Sequence, residues 1–173
     1  LGLPHTVEAV HRDVPNAYIF PQASTIRFDF AARGTMPAVE VFWYDGVKNR
    51  PPLPEELGPN ATLNEQAGKF IYSKDLVFKG GTHGDTLRVI PDARMQTMSP
   101  LLPKIGGGFS DHAVNFVRAC QGTEESRSPF SIAGPLTQVF LLGVIAQRLG
   151  GRIRFDKATR TCPGNAEATR LLA

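Results

Sequence analysis

The spacing of apolar residues changes partway along the chain, and this change restricts the folds open to it. Between residues 24 and 31 apolar and polar side chains alternate, with Arg27 and Asp29 on the polar face, as in a half-buried strand. After Asp111 the apolar residues recur every three or four positions, as in a helix. Strands followed by helices that pack on one face of the sheet are typical of the α+β class.

Strand-like segments fill most of the first half. They are residues 6–10, 24–31, 39–44, 69–73, 76–79 and 86–90, with one more at 152–155. Segment 39–44 is apolar on both faces, so we expect helices on one face and another cover on the other. Asp45-Gly46 predicts a hairpin turn. The proline-rich residues 49–66 predict a loop, as do residues 79–85 and 106–108.

Three helices are predicted in the second half. Ser110 or Asp111 can cap the first, which Gly122 ends. Pro135 suits the first turn of a longer helix that reaches residue 149, and the near absence of polar residues predicts burial on more than one side. Asn165 caps the last helix.

Composition restricts the class of protein and its partners. The 173 residues are 42% hydrophobic and carry 19 − 16 = +3 charges, which excludes a disordered chain and is too weak to indicate nucleic-acid binding. No uninterrupted apolar run approaches the roughly 18 residues of a membrane span, so we expect no membrane partner. The two cysteines lack metal-ligand spacing, and Cys120 is predicted to be a buried thiol on a helix. The chain starts without Met and stops abruptly, so we expect a piece of a longer protein, truncated at both ends.

Motifs that carry chemistry are missing from the sequence. It contains no G-x-G-x-x-G between a strand and a helix, no Walker loop, no G-x-S-x-G and no H-E-x-x-H. The four histidines are scattered and suggest no triad. We therefore expect no catalytic, cofactor-binding or metal-binding residue in the chain.

A series of segments nevertheless resembles one enzyme family. From residue 111 the chain reads DHAVNFVRACQG, SPFSIAGPLTQVFLLGVIAQRLGG, RIRFD and NAEATRLL, and earlier it has FDFAAR, VFWYDG and PEEL. Taken in chain order, these segments resemble the C-terminal domain of the glucose–fructose oxidoreductase, inositol dehydrogenase and MocA family, in its bacterial exported-type branch. The resemblance covers nearly the whole chain.

The resemblance implies half of a two-part enzyme. An N-terminal Rossmann domain would hold NAD or NADP, and hydride would pass between the nicotinamide and a carbon of a sugar, cyclitol or related polyol. Residues 1–173 would be a single C-terminal domain, inactive alone, in which a large, mainly antiparallel sheet with helices on one face walls the substrate site and joins subunits. The expected partners are that Rossmann domain, further copies through the sheet, and a sugar-like molecule. Localisation stays open between bacterial cytoplasm and periplasm.

Five residues are candidates for substrate contacts. His83 and Asp85 lie in the KGGTHGD loop and Arg88 begins the next strand, so together they could hydrogen-bond sugar hydroxyls; a solvated glycine turn is the alternative. Arg33 ends its strand and could clamp substrate or form a surface ion pair. Trp43, the only tryptophan, could stack on a sugar or pack in the core or an interface.

Two functions of other classes remain possible. A non-catalytic carbohydrate-binding or assembly module could have the same fold, and the sequence upstream of Leu1 would distinguish it from the enzyme. A β-rich glycan-binding domain of unrelated fold would lack the helices predicted over residues 111–149.

Overall fold

The fold is α+β, as the sequence predicts. The computed structural model describes residues 1–14, 16, 18–62, 67–82, 86–103 and 111–172. The described strands are β1 Thr6–Arg12, β2 Ser24–Phe30, β3 Val39–Asp45, β4 Lys69–Tyr72, β5 Val77–Gly80, β6 Arg88–Ile90 and β7 Gly151–Arg154. The described helices are α1 Asp92–Met98, α2 His112–Cys120, α3 Phe130–Leu149 and α4 Ala166–Arg170, with 3-10 turns at Glu55–Leu57 and Ser99–Leu101.

The strands form two antiparallel sheets instead of the one large sheet expected. Four strands are ordered β3-β2-β1-β7, and three are ordered β4-β5-β6. The chain divides accordingly into two compact units, one of Leu1–Arg50 with Phe109–Ala173 and one of Pro51–Gly108.

The core of the first unit lies between one face of its sheet and helices α3 and α4. Apolar side chains that alternate along β1, β2 and β7 point to this face and are buried: Val7, Ile26, Phe28, Phe30 and Ile153. Leu142, Ile145 and Ala146 of α3 and Ala168 of α4 complete the cluster. Phe28 lies so close to Gly143 that a side chain there would meet its ring. The sheet and α3 therefore pack at the distance that a glycine permits.

The predicted C-terminus of α3 agrees with the structure, whereas its predicted N-terminus does not. Its C-terminus is where the sequence places it, because Gly150 has a φ of 79° and Arg12 donates hydrogen bonds to the carbonyls of residues 147, 148 and 149 at 2.9, 2.7 and 3.3 Å. Its predicted start is wrong. Pro129 precedes the first helical residue, and Pro135 lies inside the helix.

Helix α3 is also less buried than predicted. Of its residues only Leu142, Gly143, Ile145 and Ala146 are buried, so the expectation of burial on more than one side is wrong. Its first half is largely exposed, with Phe130 87% accessible. By length and composition it is a candidate membrane span, although the few polar residues spread along it interrupt its apolar runs. Its second half packs against the sheet of this unit.

Helix α2 is anchored to the neighbouring loop by the hydrogen bonds of a buried polar residue. Asp111 caps it, accepting a hydrogen bond from the Ala113 amide at 3.0 Å. The one buried residue of α2 is Asn115, which bonds the Glu124 carboxylate and two backbone groups of residues 125 and 127. The apolar stripe of α2 faces solvent, and so Cys120 is exposed, contrary to prediction. The buried thiol is that of Cys162, and burial raises its pKa.

The Asp45-Gly46 turn is not a hairpin. Strand β3 pairs with β2, which precedes it, and the next strand along the chain belongs to the other sheet. Gly46 has a φ of 110°, and Asn49 turns back to donate to the carbonyls of Ser24 and Asp45 at 2.8 and 3.0 Å. The predicted turn therefore lies where the chain leaves the first unit and continues into the second.

The second unit contains the short sheet β4-β5-β6. Val77, Val89 and Ile90 are its buried apolar residues. Helix α1, which follows Pro91 and packs on β6, was not predicted, because its residues show no apolar stripe. The glycine run 106–108 lies outside the described residues.

Candidate functional site

The first unit presents one sheet face that α3 and α4 do not cover. Strand periodicity places on it every residue that alternates with the core residues. The open face consists of Thr6, Glu8, His11, Thr25, Arg27, Asp29, Glu40, Phe42, Tyr44, Arg152 and Arg154. Its residues on the two outer strands β3 and β7 are mostly exposed, whereas Thr6, Thr25 and Asp29 on the central strands are buried. The face is therefore a polar surface that is accessible along its outer strands and buried at its centre.

A network of ion pairs crosses the centre of the open face. Arg27 lies 3.0 Å from the Glu8 carboxylate, and its Nε lies 3.1 Å from Asp29 Oδ1. Arg152 reaches the other oxygen of Asp29 at 3.4 Å. The Arg27 Nε and Asp29 Oδ1 atoms are buried and close but not aligned for a hydrogen bond, and Arg27 instead donates from Nη2 to Asp29 Oδ2 at 3.5 Å. Because Asp29 is only 8% exposed, this network is better shielded than a surface ion pair.

An aromatic pair lies beside this network. Phe42 and Tyr44 are two residues apart on β3, with ring centroids 6.4 Å apart and planes at 29°. Phe42 is 43% exposed and stands opposite Arg27 in the strand register. An exposed aromatic face next to arginines can accept a cation or the apolar face of a sugar ring.

Three of the five predicted substrate residues lie among the described residues, and they are divided between the two units. His83 and Asp85 lie outside those residues. Arg88 begins β6 in the second unit and pairs with Asp92 at 2.9 Å. Arg33 and Trp43 are in the first unit, where Arg33 lies in the β2–β3 connection, bridged to Met36.

Trp43 does not belong to the open face. It lies on the core side of β3, edge-on to Phe140 of α3, with ring centroids 6.0 Å apart. It is nevertheless 52% exposed, because it packs at the margin of the core. The contact with Phe140 therefore supports the interpretation that Trp43 is a packing residue.

A small cavity of about 330 Å³ lies at the end of the same sheet, where β1 starts and β7 ends. Its lining is mainly apolar and includes His5, Arg154 and Lys157. Within the described part of the chain, no three His, Cys, Asp or Glu side chains are placed to hold a metal ion.

Sequence reasoning missed the contribution of β7 to this face. The sequence predicts a strand at residues 152–155, in which Arg152 and Arg154 alternate with the buried Ile153. That alternation is a visible signal for a strand with one polar face. The pairing of β7 with β1, more than 140 residues earlier, places Arg152 beside Glu8 and Asp29 and Arg154 opposite Thr6.

Comparison with known proteins gives no family for this chain. No protein-family model matches its sequence, and no curated protein matches it either.

Proposed function

We propose that this chain is the C-terminal domain of an NAD(P)-dependent oxidoreductase of the glucose–fructose oxidoreductase, inositol dehydrogenase and MocA family. In the whole protein an upstream Rossmann domain would hold the cofactor, and hydride would move to or from a carbon of a sugar, cyclitol or related polyol. The present chain would contribute the substrate-side wall and the subunit interface. It would not be active alone.

One structural observation carries the proposal beyond the sequence resemblance. The first unit has an entirely antiparallel sheet, covered by α3 and α4 on one face and accessible on the other. A rigid sheet with one free face can form a wall or an interface without disturbing its own core. The exposed Phe42 and the ion-pair network on that face supply apolar and hydrogen-bonding groups. We further propose that copies of the chain associate through this open face.

Calorimetric titration of the 173-residue chain with NADH tests the cofactor assignment. We expect no heat of binding, because the cofactor site would lie upstream. Micromolar binding would overturn the proposal. The coding sequence upstream of Leu1 provides the positive test, since it should contain a strand, a G-x-G-x-x-G turn, a helix and an Asp/His pair.

A second candidate is a non-catalytic carbohydrate-binding or assembly module of the same fold. The observation in its favour is the exposed Phe42–Tyr44 stack, a surface on which sugar rings pack. It predicts that neutral sugars bind the isolated chain and that Phe42→Ala abolishes binding. It also predicts no dinucleotide fingerprint upstream.

A further inference from the structure

The cavity at the end of the four-stranded sheet has walls that the sheet itself fixes. Strand β1 begins at this cavity, and β2 and β7 end beside it. Backbone pairing continues one residue past these strand ends, since the His5 amide donates to the Asp29 carbonyl at 3.0 Å and the Phe155 amide donates to the His5 carbonyl at 2.9 Å. The backbone that carries the lining is therefore formed before any ligand arrives.

One part of this lining is apolar. It includes Pro4 and Phe155, which are buried, and also Leu3, Ala31 and Pro163. All of these residues belong to the first unit. The volume of about 330 Å³ lies at the lower end of the range for small-molecule pockets. A compact apolar body, of about the size of one substituted ring, is the occupant that this part of the cavity fits.

Three basic side chains line the same cavity, namely those of His5, Arg154 and Lys157. Arg154 and Lys157 are exposed, and within the described part of the chain neither has an ion-pair partner. A guanidinium and an ammonium group both donate strong hydrogen bonds to carboxylate or phosphate oxygens. An imidazole donates at least one hydrogen bond in either protonation state. The polar part of the lining therefore offers donors to an anion.

The acidic residue of the lining, Asp156, is engaged in its own turn. Its Oδ1 atom accepts hydrogen bonds from the amides of Ala158 at 2.8 Å and Thr159 at 3.4 Å. Two fixed positive charges, on Arg154 and Lys157, stand against this one negative charge. A cation would find a single carboxylate that already accepts two bonds, whereas an anion would meet an excess of positive charge.

We infer that this cavity binds a small organic anion, which consists of a carboxylate or phosphate group on a compact apolar body. The acidic group contacts Arg154 and Lys157, and the apolar body packs on Pro4 and Phe155. The inference does not depend on the proposed function, because it uses only the cavity and its lining.

NMR titration of the full 173-residue chain with benzoate tests this site. We expect saturable shifts of the His5, Phe155 and Lys157 amide signals, with a dissociation constant of about 1 mM for a probe of this size. Benzamide has the same shape without the charge and should bind at least about tenfold more weakly. The affinity for benzoate should fall as salt is added, because the two cationic groups are exposed. Phenyl phosphate provides a second arm: if it binds more tightly than benzoate, the acidic group is a phosphate, and if it binds more weakly, a carboxylate.

Two variants remove the charges that the inference uses. Arg154→Gln and Lys157→Gln should each raise the dissociation constant of benzoate at least about fivefold. Both residues are exposed, so we expect the variants to stay folded, which their thermal melts check. Arg94→Gln and Lys48→Gln are the matched controls, because they make the same changes at exposed positions outside the cavity lining and should leave the constant unchanged.

Three results would overturn the inference. If benzamide binds as tightly as benzoate, the cavity recognises the apolar body and not an anion. If the control variants weaken benzoate as much as the lining variants do, net charge and not this cavity attracts the probe. If neither benzoate nor phenyl phosphate gives saturable shifts up to about 20 mM, the cavity is not a site for such ligands. The NADH titration and the upstream sequence decide the cofactor assignment separately from all three.

Discussion

Replacing Gly143 by alanine tests whether α3 packs on the sheet as closely as described. A Cβ at this position would lie 2.7 Å from Cζ and 3.2 Å from Cε1 of Phe28, whereas ordinary contacts lie at 3.4–4 Å. The helix or the ring must move by roughly 0.7 Å, and overpacking of this kind costs about 1–3 kcal/mol. Alanine returns about 1 kcal/mol through its greater helix propensity. The expected net loss in the free energy of unfolding is about 1 kcal/mol.

Urea denaturation measures this loss as a lower midpoint at unchanged slope. A double-mutant cycle with Phe28→Leu supplies the control, because leucine removes the ring atoms that Cβ would meet. In that background Gly143→Ala should become neutral or stabilising, which corresponds to a coupling of about 1–2 kcal/mol. If Gly143→Ala stabilises the otherwise unchanged chain by its full propensity gain, the close approach of Phe28 to α3 is refuted.

Three further predictions concern stability. Arg12→Ala should lower the free energy of unfolding by about 2 kcal/mol, because it removes a charged cap from the C-terminus of α3. Arg12→Lys keeps the charge and should cause a smaller loss. An equal loss in both variants would refute a role for the charge. Asn115→Ala should cost about 1–3 kcal/mol, since it removes the three hydrogen bonds of a buried side chain, and denaturation without such a loss would contradict this. Backbone hydrogen bonds from Ala158 and Thr159 lower the pKa of Asp156 below its usual 3.8, so its stabilisation is present above that pH and is lost as the pH falls through the lowered value. Asp156→Asn should therefore reduce the fall in melting temperature at acidic pH, which thermal melts over a pH series measure. An unchanged fall would count against this role of Asp156.

Much of the local structure could be predicted because local signals determine it. The alternation along β2 placed its apolar residues on the core face, and Asp111 and Asn165 cap helices as expected. Gly150 ends α3 because a φ of 79° is easy for glycine alone. These features depend on a few neighbouring residues, so a sequence pattern is sufficient to identify them.

Burial of the helices could not be predicted in this way. The apolar stripe of α2 and the apolar first half of α3 are exposed, although their composition resembles that of core helices. Whether an apolar face is covered depends on what lies opposite it, and a periodic pattern contains no information on that. The wrong predictions for Cys120 and for α3 have this common cause.

The sequence by itself therefore determined the α+β class, most of the strands and the polar or apolar character of each strand face. Tertiary structure alone decided that the strands divide between two sheets and that β7 pairs with β1. That pairing joins residues more than 140 positions apart, and many alternative registers satisfy the same alternation of side chains. The open face, with arginines at one edge and Glu40 and Phe42 at the other, exists only because the backbone adopted this register.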